Sequence, residues 1–237
     1  ASPNTTLNTI VAEAFCEAAD RIEKAADKQL EIHDVIKEFL TDHQRVIFNG
    51  DGYSDEWVAE AERRGLPNIK SMVEATETLT TDKAVKLFEK FKVFTKAELE
   101  SREDILYETY SKTINIEALT MIDMAAKQIV PAVSKYTKTL ADTVIAVKNA
   151  GANPEATESV LNETVAYLND VKRALDNLVK VQAEAHAIED HKKQAYFYKD
   201  EVKDAMDALR APADKLEMLV DKEMWPFPTY GDLMFEV

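Results

Sequence analysis

The sequence predicts an all-α protein: an elongated helical bundle built on a long antiparallel helical hairpin, with a non-helical aromatic and proline-rich C-terminal strap. Three observations carry that expectation. Only 5 Gly and 7 Pro occur in 237 residues, and 46% of residues are hydrophobic, a composition dominated by good helix formers. Apolar positions step by three and four over long stretches. One short turn, "NAGANPEA", separates the two longest of these stretches.

The first helix lies in "NTTLNTIVAEAFCEAADRIEKAADK", where Leu7, Ile10, Val11, Ala14 and Phe15 fall at helical spacing. A second runs from about Glu31 through Val35, Ile36, Phe39, Leu40 and Val46, with Gly50 closing it. Ser54 is the N-cap of a third, with Asp55 and Glu56 in the first turn, where the helix dipole favours negative charge. Gly65 is its C′ residue. Ser71 with Glu74, and Thr95 with Glu98, have capping-box spacing.

From residue 95 no glycine occurs until Gly151. Leu119, Ile122, Ala126, Ile129, Val133, Tyr136, Leu140, Val144 and Val147 form a narrow seam, on a helix that could reach about 80 Å. Pro131 removes one backbone hydrogen bond and predicts a kink near Ala126 and Lys127 that does not necessarily end the helix, so continuity through Pro131 stays open at the level of sequence. Gly151 serves as C′, Asn153 as N-cap and Pro154 as N1. The return helix carries Leu161, Leu168, Val171, Leu175, Leu178, Ala185 and Ile188, and so short a turn makes the two helices antiparallel neighbours. Periodicity continues afterwards, with a kink or short break at Pro212. In "WPFPTYGDLMFEV", Pro226 and Pro228 exclude regular helix, and Trp225, Phe227, Tyr230, Leu233, Met234 and Phe235 predict a strap packed on a helical surface or a partner.

Lys and Arg number 29 against 44 Asp and Glu, a net charge of −15. Such a surface repels nucleic acid and anionic lipid, so neither is an expected partner. Cys16 is the single cysteine, excludes an intrachain disulfide, and is expected as a buried, inert thiol on an Ala-rich face. No apolar stretch approaches the roughly 20 residues that span a bilayer, and the start lacks the pattern of a signal peptide. The chain begins with Ala, which suggests a piece cut from something longer, processing being the alternative.

The glycine-rich "VIFNGDGYSDEW" is the stretch most suggestive of a ligand loop. Counted as an EF-hand, it would offer Asn49, Asp51, Tyr53, Asp55 and Glu60. Tyr53 cannot serve as that oxygen ligand, and Ser54 stands where glycine is required. A phosphate loop needs a preceding strand, which the helical pattern denies. The expectation is a helix–turn–helix corner. His186 and Asp190 stand four apart, a spacing that metal ligands use, but two ligands do not make a site. His191 is the fourth histidine, and His33 and His43 lie on a helix among charges, where solvated histidines are expected. Glu98, Glu100, Glu103, Asp104 and Glu108, balanced by Lys96, Arg102 and Lys112, read as a solvated face. No catalytic, cofactor-binding or metal-binding residue is therefore assigned.

Four segments carry a resemblance: "SPNTTLNTIVAEA", "RVIFNGDGYSDEWVAEAERRGLPN", "ESREDILYETYSKTINIEALTMIDMAAKQIVPAV" and "DKLEMLVDKEMWPFPTYGDLMF". Together they resemble the C-terminal part of type III glutamine synthetase, over essentially the whole chain. The resemblance implies a cytoplasmic parent that ligates ammonia to glutamate with ATP and Mg or Mn, through a γ-glutamyl phosphate. It further implies a homo-oligomer, a dodecamer of two stacked hexameric rings. The family's catalytic residues lie upstream, so none is transferred, and no cofactor is expected in this chain. Residues 1–15 would be the residual end of the catalytic domain and 16–237 the C-terminal helical domain, whose partners would be the catalytic domain and other subunits. The surface around Leu7, Ile10, Val11 and the Trp225 tail is the expected meeting place. The implied role is structural or assembly-related; the alternative is a regulatory module that docks a small protein or a metabolite.

Overall fold

The computed structural model describes residues 2–228 and 230–235, and among these every regular element is helical. The chain divides into two compact units, Ala1–Ile105 and Leu106–Val237.

The first unit opens with α1 (Ser2–Lys24) and α2 (Lys28–Asp42). Arg21 and Lys24 end α1 where the dipole favours cations. Asp27 caps α2 by accepting the amides of Gln29 and Leu30 at 3.0 and 3.1 Å. Arg21 then spans the pair, reaching Glu31 at 3.0 Å and Glu38 at 2.9 Å. Residues 15 and 16 lie inside α1.

The second helix ends earlier than its apolar spacing suggests. It stops at Asp42, and a single 3-10 turn, Gln44–Val46, follows, leaving Val46 exposed. Residues 41–45, "TDHQR", contribute no apolar face, and without packing a helix end gains little from continuing. Next come α3 (Asp55–Arg63), α4 (Met72–Thr76), a 3-10 turn at Glu77–Thr80, and α5 (Asp82–Lys90). Ser71 and Thr81 cap α4 and α5. α1 packs on both α2 and α5, and Val35, Val73, Phe88 and Leu99 are buried.

Thr95 and Glu98 form a complete capping box at the start of α6 (Lys96–Met124): the Thr95 amide donates to the Glu98 carboxylate at 2.8 Å, and the Glu98 amide donates to Thr95 Oγ1 at 3.3 Å. A π-turn at Ala125–Ile129 leads directly into α7 (Val130–Asn149). Helix thus continues through Pro131, and the irregularity falls where the proline predicts it. Pro131 has no N–H for the carbonyl four residues back, and the wider turn, closed by the Val130 amide on Ala125 O, accommodates the loss.

The π-turn also resets the seam. Beyond it Val133 and Val144 are buried as expected. Ala118 before it and Ala125 at its first position are buried, each one residue earlier than the expected Leu119 and Ala126. A π-turn inserts one residue, so a strictly α-helical count carried back through it lands one place off.

α8 (Glu155–His186) returns along α7 and also packs against α10 (Lys203–Leu219). It begins at Glu155, so Pro154 flanks the helix where Asn153 was expected. Val171, Leu175, Leu178 and Ala185 are buried along it. The chain breaks at residues 187–190, resumes as α9 (His191–Phe197), and makes a second π-turn at Tyr198–Val202 before α10. Pro212 sits inside α10, which does not break there.

The tail is irregular through Pro228, and half-buried Trp225 and Phe227 pack on the second unit's core. A short helix, α11 (Tyr230–Phe235), then follows. Both prolines precede it, so neither opposes it. Leu233, Met234 and Phe235 are exposed, while Asp232 pairs with Lys222. Thr229, Glu236 and Val237 lie outside the described residues.

Candidate functional site

The corner at residues 46–57 is built from its own side chains. Asp51 accepts the Tyr53 amide at 2.9 Å, and Ser54 Oγ donates to the Asp51 carbonyl at 2.9 Å. The Trp57 amide donates to Ser54 Oγ at 3.3 Å, which makes Ser54 the N-cap of α3. Phe48 stacks on Trp57 with centroids 4.3 Å apart.

Glu60 is engaged by two cations. Arg63 Nε and Nη2 hold its two oxygens at 2.6 Å, and Arg64 Nε adds a third contact at 2.5 Å. These hydrogen bonds lower the Glu60 carboxyl to about 2. Arg64 also donates to the Ile47 carbonyl at 2.8 Å and lies over the Trp57 ring at 5.6 Å. Two of the three carboxylates counted in the calcium loop, Asp51 and Glu60, are therefore engaged by an amide and by two guanidinium groups, and the geometry is that of a braced corner. Sequence reasoning missed Arg64; its place four residues after Glu60 was the available signal.

The histidines do not converge. His33 is exposed. His43 ends α2 with its ring edge-on to Phe39 at 6.1 Å. His186 and Asp190 do not share a helix face: His186 is the last residue of α8, and Asp190 caps α9 by accepting the Lys193 amide at 2.8 Å. The α8–α9 break, invisible to spacing, separates them. Among the described residues no three His, Cys, Asp or Glu side chains gather as a metal set. Cys16 is half-buried where full burial was expected.

The acidic run behaves as a solvated face. Lys96 pairs with Glu100 at 3.7 Å and Lys112 with Glu108 at 2.6 Å, while Arg102 lies over the Phe94 ring at 4.2 Å. No helix among the described residues is long and apolar enough to cross a membrane.

The feature without an internal explanation is the outer side of α1 and α2. Leu7, Ile10, Val11 and Phe15 are 49–71% exposed, and Leu30, Ile36 and Leu40 on α2 are 52–59% exposed. Part of this surface is a groove of about 610 Å³ between the two helices, with only apolar side chains in its walls, among them Val11, Phe15, Ile36 and Leu40. Leu7, Ile10 and Val11 were legible as apolar helix positions. Phe15, Ile36 and Leu40 were legible in the same way and Leu30 was not singled out; periodicity reveals a stripe and not what covers it. Scattered apolar residues are ordinary on a surface, but a contiguous stripe on paired helices marks an interaction face.

The comparisons with known proteins point one way. A family model described as the glutamine synthetase C-terminal domain matches residues 31–148. The chain is 36% identical over 208 residues to a glutamine synthetase of Butyrivibrio fibrisolvens, covering 87% of this chain and 30% of that protein. It is 33% identical over 242 residues to a type-3 glutamine synthetase of Dictyostelium discoideum, covering 98% of this chain and 33% of the relative. A glutamine synthetase of Bacteroides fragilis is 29% identical over 228 residues, covering 93% and 31%. The chain spans about a third of the length of these relatives.

Proposed function

The chain belongs to the glutamine synthetase C-terminal domain family, and from that premise we propose that it is the helical C-terminal part of a type III enzyme, architectural and without catalysis of its own. The parent protein is then a cytoplasmic ligase that joins ammonia to glutamate using ATP and Mg²⁺ or Mn²⁺, assembled as a homo-oligomer, by resemblance a dodecamer. The similarity to a relative named type-3 glutamine synthetase, over 98% of this chain, supports that reading.

One observation carries the architectural role: the apolar outer face of α1 and α2. Leu7, Val11 and Phe15 occupy successive turns of one helix, Ile10 adjoins Val11, and all four are about half exposed or more. A buried large apolar side chain gains about 1.5–3 kcal/mol over an exposed one, so these four favour a covering surface. The catalytic body or a neighbouring subunit supplies it. The net charge of −15 supports a protein partner over nucleic acid.

The test is an assay of the chain alone for ATP-dependent glutamine formation from glutamate and ammonia, with Mg²⁺ or Mn²⁺. The expected result is no turnover; turnover in a clean preparation sinks the reading.

A further inference from the structure

The second unit contains a cavity that the architectural role does not use. It lies beneath the first half of the strap and has a volume of about 340 Å³. Met121 and Met124 of α6 form one side, and Ile129 of the first π-turn lies beside them. Trp225, Phe227 and Pro228 form the strap side, the two rings set edge to face with centroids 6.2 Å apart. The cavity is at the small end of the range that ligand pockets occupy, about 300–1,000 Å³.

Among the described residues its charged wall comes from α10: Arg210, Asp214 and Glu217. Arg210 and Asp214 answer each other, with Nε to the carboxylate at 3.3 Å. Glu217 is half-buried and has no hydrogen bond or ion pair with any described residue. Its carboxylate is an unspent acceptor at the cavity, and an ammonium donor there makes a charge-assisted hydrogen bond. The faces of Trp225 and Phe227 carry partial negative charge and attract cations as well. The two flexible thioethers adapt to irregular apolar shapes.

The geometry points to a binding site for a small organic cation with an apolar body, of the arylalkyl-ammonium class. Its ammonium group lies at Glu217, and its apolar body lies among Met124, Ile129, Trp225 and Phe227. This site is independent of the α1 and α2 face and survives or fails separately from the architectural reading.

The test uses calorimetry on the intact 237-residue chain with three probes of similar size: 2-phenylethylammonium, phenylacetate and 2-phenylethanol. Emission of Trp225 in a Trp57→Phe variant locates the binding. The ammonium probe is expected to bind saturably and to change Trp225 emission, with phenylacetate and the alcohol weaker by about tenfold or more, as loss of a charge-assisted contact implies. Glu217→Gln, with helicity unchanged by circular dichroism, is expected to weaken the ammonium probe by about tenfold and leave the alcohol unaffected. No saturable heat, equal binding of phenylacetate, indifference to Glu217→Gln, or heat without a Trp225 response overturns the proposal. Should Trp57→Phe fail to fold, heats from the unaltered chain and Glu217→Gln decide it alone.

Discussion

The Tyr198 hydroxyl donates to Asn115 Oδ1 at 3.0 Å, and the same oxygen accepts Gln182 Nε2 at 2.8 Å. One amide oxygen thus joins α6, α8 and the second π-turn in the interior of the second unit. Tyr198→Phe removes a single bond and should cost about 1 kcal/mol; Asn115→Ala strips the acceptor from two donors and should cost about 2–3 kcal/mol. Urea midpoints at unchanged slope measure both. Burial also pushes the Tyr198 phenol above its ordinary value of 10.0. Its contribution is complete below the unfolded value and is lost as pH rises through the higher folded one, so Tyr198→Phe should be less alkali-sensitive than the parent chain.

The Glu60 clamp has the opposite sign. Its folded carboxyl is lowered from 4.5 to about 2, first by the Arg63 hydrogen bonds and then by Arg64. A depressed carboxyl stabilises above its unfolded value and loses that stabilisation as pH falls towards the folded one. Trp57 emission, sensitive to Arg64 over its ring, should therefore change between about pH 4.5 and 2. Glu60→Gln should abolish the step. The clamp is solvent-accessible, so added salt should shrink it.

Three helix ends share one backbone arrangement with different residues. Gly65, Lys92 and Gly151 have φ of 67, 55 and 80°, and the next amide of each bonds six-to-one: Leu66 to Ala61, Val93 to Phe88, Ala152 to Val147. A side chain at such φ costs about 1 kcal/mol or more. Gly151→Ala should destabilise by about that amount, and Lys92→Gly should stabilise by a similar amount. Gly52→Ala, with no positive φ and nothing within 4 Å of the added carbon, should be near neutral. Thermal midpoints rank the three.

Leu216 is fully buried, while Leu7 is 59% exposed. In the isolated chain Leu216→Ala should cost about 2–5 kcal/mol, and Leu7→Ala should stay within about 0.5 kcal/mol. Chemical denaturation checks the contrast.

Features fixed by near neighbours were legible in the sequence. Ser54, the Thr95–Glu98 box, Gly65 and Gly151 act through bonds within a few residues, and each caps where its chemistry places it. Features set by packing were not. The end of α2 at Asp42 reflects missing burial beyond it, and the α8–α9 break separates His186 from Asp190 although their spacing fits one helix. The π-turn before Pro131 shifts the seam by one residue, so Ala118 and Ala125 are buried in place of Leu119 and Ala126. The α1 stripe was visible at Leu7, Ile10, Val11 and Phe15 and the α2 stripe at Ile36 and Leu40; that both remain exposed needed the fold. Glu217 carried no sequence signal, because the strap that gives it a cavity arrives from the chain's end.

The covering of the α1 face is the central claim, and thiol accessibility tests it most directly. With Cys16→Ser as background, Phe15→Cys places a thiol where the native ring is 71% exposed. Its alkylation rate is compared in the isolated chain and in the assembled parent synthetase carrying the same two changes. Coverage by the catalytic body or a neighbouring subunit predicts fast labelling in the chain and labelling slower by about tenfold or more in the assembly, as burial of a contact face implies. Equal rates in the two would contradict it.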